Sequence, residues 1–236
     1  MSNRLTAGAP VLCAALAASL FPSVGWSQVG HRPEGSPFRD LQVRHALLFQ
    51  GGYLSGSGGR AAAGPTDGPM VGLRYTIHLG GPWEAIFGAA GADLQRVVHS
   101  PGLAPDTVGQ SVLMGETGFA FLLTGEKSWH GLVPYVAATM GAAFGGSVPA
   151  DSTSGYQFQT KFHFGPQVGV RWYTTRRISL RLEGRDVMWR LRYPASFFDL
   201  VPGSLVIPPL LPGFDPDREW THNLSLTLAL GFAIRH

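Results

Sequence analysis

The charged residues of this chain alternate in a way that would let them act together. Arg181, Glu183 and Arg185 are two positions apart, so an extended strand places all three side chains on one face. Carboxylates and guanidinium groups enclosed in this way can pair and fill an interior, or they can line a path for small solutes. Alternation assigns eight charged residues to such inward faces: Arg74, Glu84, Glu116, Lys161, Arg171, Arg181, Glu183 and Arg185. We expect these eight residues to form an enclosed charge network.

Histidine, serine and aspartate occur in arrangements that nucleophilic catalysis could use. His99-Ser100 and Asp151-Ser152 lie in separate predicted loops that could meet and supply a base, a nucleophile and an orienting acid. His222 and Ser225 are three positions apart, which in a strand puts them on opposite faces. No recognisable enzyme motif surrounds either arrangement. We therefore predict that the chain is not an enzyme and has no catalytic residues.

Metal and cofactor sites are not predicted. Asp215, Asp217 and Glu219 alternate as calcium ligands could, but no turn glycine of a calcium cage accompanies them. Cys13 is the only cysteine and lies in the N-terminal apolar segment, which excludes disulfide scaffolds and thiolate metal sites from the rest of the chain. No glycine-rich phosphate loop or dinucleotide fingerprint occurs.

The pattern of the N-terminal residues predicts an export signal. Arg4 supplies a positive charge, and the apolar run 9–21 has the length of a signal-peptide core. Small residues at Gly25 and Ser27 suit signal peptidase, which predicts cleavage after Ser27 and a signal peptide at residues 1–27.

Period-2 alternation of apolar and polar residues dominates the chain after a polar segment, 28–43, that we expect to be a flexible periplasmic lead-in. The last strand is the clearest, because Leu224, Leu226 and Leu228 alternate with small or polar residues. A change of phase near Gly184 predicts a β-bulge. Eight strands are predicted in all: 44–54, 70–80, 83–98, 110–123, 132–145, 156–174, 178–193 and 223–234.

The composition of the two strand faces decides between a soluble and a membrane fold. Only 14% of residues are charged, against about 25% in soluble domains, and the face opposite the large apolar residues carries mainly small residues with scattered charges. Transmembrane barrels place apolar residues outward and polar residues inward. The sequence therefore predicts an all-β, eight-stranded antiparallel up-and-down transmembrane β-barrel over residues 44–236. The net charge of +3, without a basic stripe, argues against nucleic-acid binding.

Connection lengths alternate between long and short. The long ones are 55–69, 99–109, 146–155 and 194–221, and the short ones are 81–82, 124–131 and 175–177. Outer-membrane barrels have short periplasmic turns and long outer loops, so both termini are predicted to be periplasmic. The last loop is unusually apolar, which predicts a lid over the barrel mouth or, as the alternative, a binding surface for a hydrophobic or protein partner.

Aromatic residues are predicted to form two girdles at the membrane interfaces. Trp83, Trp129 and Trp172 fall near the short turns. The predicted girdle at the long loops consists of Trp189, Trp220, Tyr53, Tyr156 and Tyr193. Amphipathic aromatic rings prefer the level of the lipid headgroups.

The chain resembles the small eight-stranded outer-membrane β-barrels, such as the OmpA transmembrane domain and OmpX, from about Arg44 to its end. The C-terminal assembly signal of that family is matched at Gly231 and Ile234 and is departed from at Ala229 and His236. The resemblance implies a monomer in the bacterial outer membrane with a side-chain-filled interior. Implied partners are outer-membrane lipids and lipopolysaccharide, the barrel-assembly machinery, and an extracellular ligand at the long loops.

The role expected from these observations is structural, or an interaction at the cell surface. A narrow pore for small solutes is the first alternative, because the predicted interior is charged. An enzyme that modifies lipid A is the second alternative, since some barrels of this size use histidine and serine near the outer surface.

Overall fold

The computed structural model describes residues 36–99, 104–149, 151, 154–198, 210–213 and 215–234. The chain divides into two compact units, Met1–Pro37 and Phe38–His236. The predicted signal peptide and residues 28–35 of the predicted lead-in lie outside the described residues.

Antiparallel strands make up nearly all of the described second unit. They are β1 (Phe38–Asp40), β2 (His45–Gly56), β3 (Gly68–Gly80), β4 (Trp83–Val98), β5 (Asp106–Leu122), β6 (Lys127–Trp129), β7 (Leu132–Gly145), β8 (Thr160–Tyr173), β9 (Ile178–Arg192) and β10 (Arg218–Ile234). A 3-10 turn, Ala195–Phe197, follows β9. Within the described ranges, no helix is long and apolar enough to cross a membrane.

The eight long strands close into a ring. Each pairs with its neighbour in the chain, β10 pairs with β2, and the β7–β8 pairing completes the circle. The predicted eight-stranded antiparallel barrel is therefore confirmed. The two short strands add to it: β1 pairs with β6 through Phe38 and Trp129, and Trp129 also pairs with Leu132 of β7. Residues 38–40, which the sequence assigns to a flexible segment, are thus part of the sheet.

The barrel has two different ends. We call the turn end the one that carries the connections 81–82, 123–131 and 174–177, and the loop end the one that carries the longer connections between strands. The tightest turn joins β3 to β4, where Gly80 has φ 115° and Gly81 has φ 57°. Side chains rarely adopt these left-handed conformations, so the turn requires both glycines.

The large apolar face of each strand points outward. Leu226 and Phe162 are 61% and 57% exposed, whereas Arg74 is 2% exposed. The predicted sidedness is therefore confirmed. The exposed residues form a continuous apolar belt, of the kind that a transmembrane barrel presents to lipid.

Alternation along the predicted strands 156–174 and 178–193 predicts that Phe158 faces outward and that a bulge lies near Gly184, and both predictions are wrong. Strand β9 has no bulge: it keeps one register with β10 from Arg192 to Ile178, so Val187, Trp189 and Leu191 face the interior with the charged residues. Strand β8 begins at Thr160, and Phe158 just before it is also buried. Both segments lie at the loop end, where the interior is filled by large apolar side chains that local alternation cannot distinguish from lipid-facing ones.

The aromatic girdle is present as predicted at the turn end and only in part at the loop end. Trp83, Trp129 and Trp172 are all about half exposed near the short turns. At the loop end, Trp220 and Tyr53 face outward, as predicted. The assignment is wrong for Trp189, Tyr156 and Tyr193, which are buried.

A charge placed in the apolar belt should destabilise the barrel. Leu226 lies midway along β10 and faces outward. We expect Leu226→Arg to lower the free energy of unfolding in phospholipid vesicles by about 2–4 kcal/mol, because a guanidinium at mid-membrane depth loses its hydration. The matched control is Leu210→Arg, at an exposed leucine outside the strands. Equal effects of the two substitutions in urea titrations would contradict a lipid-facing Leu226.

Candidate functional site

Ion pairs cross the middle of the barrel interior. Arg74 on β3 donates from Nη1 to Oε2 of Glu183 on β9 at 2.6 Å, and from Nη2 to Oε1 of Glu116 on β5 at 3.3 Å. Nη2 of Arg185 on β9 lies 2.6 Å from Oε2 of Glu116. We call these four residues the central ion group. Because the three strands stand apart around the ring, the side chains meet in the lumen itself.

A second set of ion pairs lies nearer the turn end. Oε1 of Glu84 on β4 accepts from Arg171 of β8 at 2.5 Å and from Arg181 of β9 at 3.2 Å. Arg171 also donates to the Tyr173 hydroxyl at 2.9 Å. We call Glu84, Arg171 and Arg181 the turn-end ion group. Its single carboxylate is therefore shared between two guanidinium groups.

Neutral polar side chains complete the central ion group. The Tyr135 hydroxyl donates to Oε2 of Glu183 at 2.7 Å. With its amide nitrogen turned toward Glu183, Gln167 donates to that carboxylate at 3.1 Å and accepts from the Thr139 hydroxyl at 2.7 Å. The Arg181 guanidinium lies 5.0 Å from the centre of the Tyr135 ring. Tyr135 therefore links the two ion groups.

Small inward residues make room for this network. A Cβ atom at Gly165 would lie 2.5 Å from Nε of Arg185, and one at Gly169 would lie 2.5 Å from the Tyr135 hydroxyl oxygen. A side chain at either position would displace a polar group that reaches across the lumen, so glycine leaves the space that these groups occupy. This supports the interpretation that the small face of each strand encloses charge.

Pairing offsets the cost of burying these charges. The arginines and glutamates of both ion groups are buried, and an isolated ion in such surroundings would be strongly unfavourable. Four guanidinium groups face three carboxylates, so the two groups together carry one excess positive charge. Each carboxylate contacts more than one donor.

Apolar side chains fill the interior on the loop side of the ion groups. Phe158 and Trp189 meet edge to face, with their ring centres 5.3 Å apart. We call these two residues, together with the buried side chains around them, the apolar plug. The surrounding residues are Leu54, Met70, Leu94, Val112, Met114, Val187 and Leu191.

The described parts of the long loops pack into a cluster of their own. Phe197 and Leu211, from the connection after β9, are buried against Tyr156, Ala61 and Ala63 of two other connections. This packing agrees with the lid interpretation of the apolar loop. Residues 199–209 and 214 of that loop lie outside the described residues.

Charged contacts also hold the loops together. Arg96 Nη2 donates to Oδ2 of Asp151 at 2.6 Å, and Oδ1 of Asp151 accepts from the Ser154 backbone N–H at 3.0 Å. We call Arg96, Asp151 and Ser154 the loop latch. A second contact joins Arg60 to Glu219 at 2.8 Å and to Asp215 at 2.7 Å.

Seven of the eight predicted network residues lie in the two ion groups. Lys161 does not: it lies at the loop end, partly exposed, and its side chain has no hydrogen bond or ion pair with another described residue. Because β8 begins only at Thr160, Lys161 stands at the mouth of the barrel rather than inside it.

Of the residues considered for catalysis, those that the structure describes contact other groups. His99 Nε2 contacts the Ala61 carbonyl oxygen at 2.7 Å, and Asp151 belongs to the loop latch; Ser100 and Ser152 lie outside the described residues. His222 pairs with Asp186 at 2.7 Å on the outer wall, whereas Ser225 is buried inside.

No metal site is evident in the described part of the chain. Of the three acidic residues considered for calcium, Asp215 and Glu219 bind Arg60, and Asp217 lies 3.6 Å from both Arg192 and Arg218. No group of three or more potential ligands among the described residues could hold a metal ion.

Sequence reasoning missed the neutral members of the network. Tyr135 and Thr139 share the inward parity of β7, opposite the exposed Val136 and Met140. That parity was the available signal, but the alanine- and glycine-rich strand obscured it. Arg96 was missed because its partner Asp151 is 55 residues away along the chain.

Removing one carboxylate from the central ion group should destabilise the barrel strongly. Glu183→Gln leaves Arg74 without its closest carboxylate, so we expect the free energy of unfolding to fall by about 3–5 kcal/mol in urea titrations in vesicles. Glu126→Gln is the control, because Glu126 is exposed at the turn end and glutamine keeps a side-chain oxygen for the hydrogen bond from the Gly81 N–H. The change there should stay within about 0.5 kcal/mol. A similarly small effect of Glu183→Gln would show that the network contributes little.

The loop latch should open in acid. Burial raises the pKa of Asp151, but hydrogen bonds from Ser154 and Arg96 outweigh it and hold the pKa below its ordinary value. The stabilisation is therefore present above the unfolded pKa of about 3.9 and is lost as the pH falls through the lower folded value. We expect the Ser154 amide to lose protection against hydrogen exchange, corrected for the intrinsic rate, below about pH 4. Asp151→Asn should remove this pH dependence, and an unchanged profile in that variant would assign it to another group.

Comparison with known proteins shows the fold. No family model matches the chain, and no curated protein matches it. The crystal structure of the outer membrane protein OprG from Pseudomonas aeruginosa aligns with a TM-score of 0.50 and 10% identity over 82% of this chain and 98% of OprG. The crystal structure of Neisserial surface protein A aligns with a TM-score of 0.49 and 12% identity over 84% of this chain and 98% of that protein. The chain has the fold of the small eight-stranded outer-membrane β-barrels.

Proposed function

We propose that this protein is an outer-membrane barrel with a closed interior, which acts structurally or through its outer surface rather than as a pore. The observation that carries the proposal is the filling of the lumen. The turn-end ion group, the central ion group and the apolar plug occupy successive levels between the two ends.

The proposed location rests on the apolar belt and on the fold. The exposed leucines and phenylalanines would be unfavourable in water over so large an area, whereas hydrocarbon accommodates them. Short connections face the periplasm in such barrels. We therefore assign the turn end, with both termini, to the periplasm and the loop end to the cell exterior. Outer-membrane lipids, lipopolysaccharide and the barrel-assembly machinery are the partners that this location implies.

The loop end is built to present a stable outer surface. The loop latch, the Arg60 contacts and the aromatic cluster around Phe197 join separate connections. Preorganised loops of this kind lose less conformational entropy on binding than free ones do. This supports a role in binding an extracellular ligand.

We also propose that the protein is not an enzyme. His222 and Ser225 project from opposite sides of the barrel wall, so this pair cannot supply a base and a nucleophile to the same substrate. Identical lipid A mass spectra from cells with and without the protein are the expected result.

Electrical measurements should separate the closed barrel from the narrow pore. We expect the refolded protein in planar bilayers to give no stable conductance steps, because ion pairs span the lumen and an eight-stranded interior is filled by side chains. A sixteen-stranded porin refolded in the same detergent serves as the positive control.

Stable steps from the wild-type protein would overturn the proposal in favour of the narrow pore. In that case Glu183→Gln should change the ion selectivity, since it removes one carboxylate from the lumen. Glu126→Gln is the matched control, because it removes an exposed carboxylate outside the lumen, and it should leave the ion selectivity unchanged.

A further inference from the structure

A cleft of about 280 Å³ opens at the loop end of the barrel, beside the start of β8. Lys161 and Arg192 contribute the charges of its lining, and Gln157, Gln159 and Tyr193 contribute neutral polar groups. The remaining lining residues belong to the segments 155–156 and 194–195. The volume is just below the range of about 300–1,000 Å³ that is typical of small-molecule sites, which suits a compact polar group.

Positive charge at this cleft is poorly neutralised. Lys161 forms no ion pair with any described residue, and Arg192 and Arg218 act on it as like charges. Arg192 and Arg218 face each other across β9 and β10, and both share the single carboxylate of Asp217 at 3.6 Å. That distance exceeds the 2.7–2.9 Å or so of a charge-assisted hydrogen bond.

The other cations of the loop end are differently placed. Arg60 contacts two carboxylates at 2.7 and 2.8 Å, and Arg96 contacts Asp151 at 2.6 Å. Arg190, two positions before Arg192 on the same exposed face of β9, also forms no ion pair with a described residue. Among the described cations in or next to the cleft, the under-neutralised charge is therefore on Lys161, Arg192 and Arg218. Like charges held together in this way repel one another and attract an anion.

The position of the cleft along the membrane normal indicates which anion would reach it. Trp220 lies two residues after Arg218 on the same outward face of β10 and is 52% exposed. Exposed tryptophans of membrane barrels lie at headgroup level. The cluster therefore lies at the height where the phosphate groups of outer-leaflet lipids would meet the barrel.

We propose that Lys161, Arg192 and Arg218 form a binding site for a phosphate group on the headgroup of an outer-leaflet lipid. Lys161 provides a point charge inside the cleft, and the two guanidinium groups offer planar donors to phosphate oxygens from its edge. This proposal rests on the proposed location in the outer membrane.

The test compares two double variants that remove the same charge from opposite ends of the barrel. Lys161→Gln with Arg192→Gln alters the cleft, and Arg176→Gln with Arg177→Gln alters exposed cations of the turn end. Each refolded protein in neutral detergent is titrated with diphosphorylated lipid A, and bound lipid is counted by native mass spectrometry. The heat-dependent shift in gel mobility verifies that each variant is folded. If the cleft double variant does not fold, Lys161→Gln alone is used.

The wild-type protein should bind one diphosphorylated lipid A at least about tenfold more tightly than the same lipid after removal of its phosphates, as expected for charge-assisted hydrogen bonds. The cleft variant should lose this preference, and the turn-end variant should keep it. Added salt should weaken the binding.

Three outcomes would overturn the proposal. The first is an equal loss of affinity for diphosphorylated lipid A in both double variants, which would indicate an effect of net charge alone. The second is the absence of any preference of the wild-type protein for the phosphorylated lipid. The third is equally tight binding of inorganic phosphate or a sulfated disaccharide, which would indicate that the site binds a soluble anion. The conductance measurement tests the closed interior separately from the binding of lipid phosphate. A barrel that conducts ions but binds lipid phosphate would contradict only the closed interior.

Discussion

Backbone hydrogen bonding is the constraint on which the rest of this structure depends. Hydrocarbon offers no partner for a free N–H or C=O group, so a sheet that crosses a membrane must close on itself. The β7–β8 pairing performs this closure. Closure with eight strands fixes a narrow lumen, and every inward side chain then has to fit within it.

The interior meets that demand in two different ways. Toward the turn end and the middle, arginines and glutamates pair across the lumen, and inward glycines such as Gly165 and Gly169 leave space for them. On the loop side, Phe158 and Trp189 fill the lumen by van der Waals contact. Buried ions are costly unless their hydrogen bonds are satisfied. The shared carboxylates of Glu84 and Glu116 therefore make the network sensitive to the loss of a single residue.

The loop end has a different electrostatic design. Arg60 and Arg96 are paired with carboxylates from distant parts of the chain and serve to tie the connections together. Lys161, Arg192 and Arg218 are not neutralised in this way. The filled lumen and the under-neutralised charge at the loop end are the two observations that support the proposed function at the surface of the barrel.

Alternation in the sequence determined the strands, their number and the outward face. In β10, for example, the large apolar residues from Leu224 to Ile234 alternate with small or polar residues, and this alternation indicates that the large ones face lipid. The sequence also placed seven charged residues inside the barrel. It could not tell a lipid-facing aromatic from one that fills the lumen, since Trp189 and Trp220 are both large and apolar and lie near strand ends. Which Trp is buried, which glutamate meets which arginine, and why Lys161 stands apart were decided by register and by where β8 begins. These are properties of the closed ring, in which paired residues such as His45 and Ile234 lie 189 positions apart in the chain, and no local pattern encodes them.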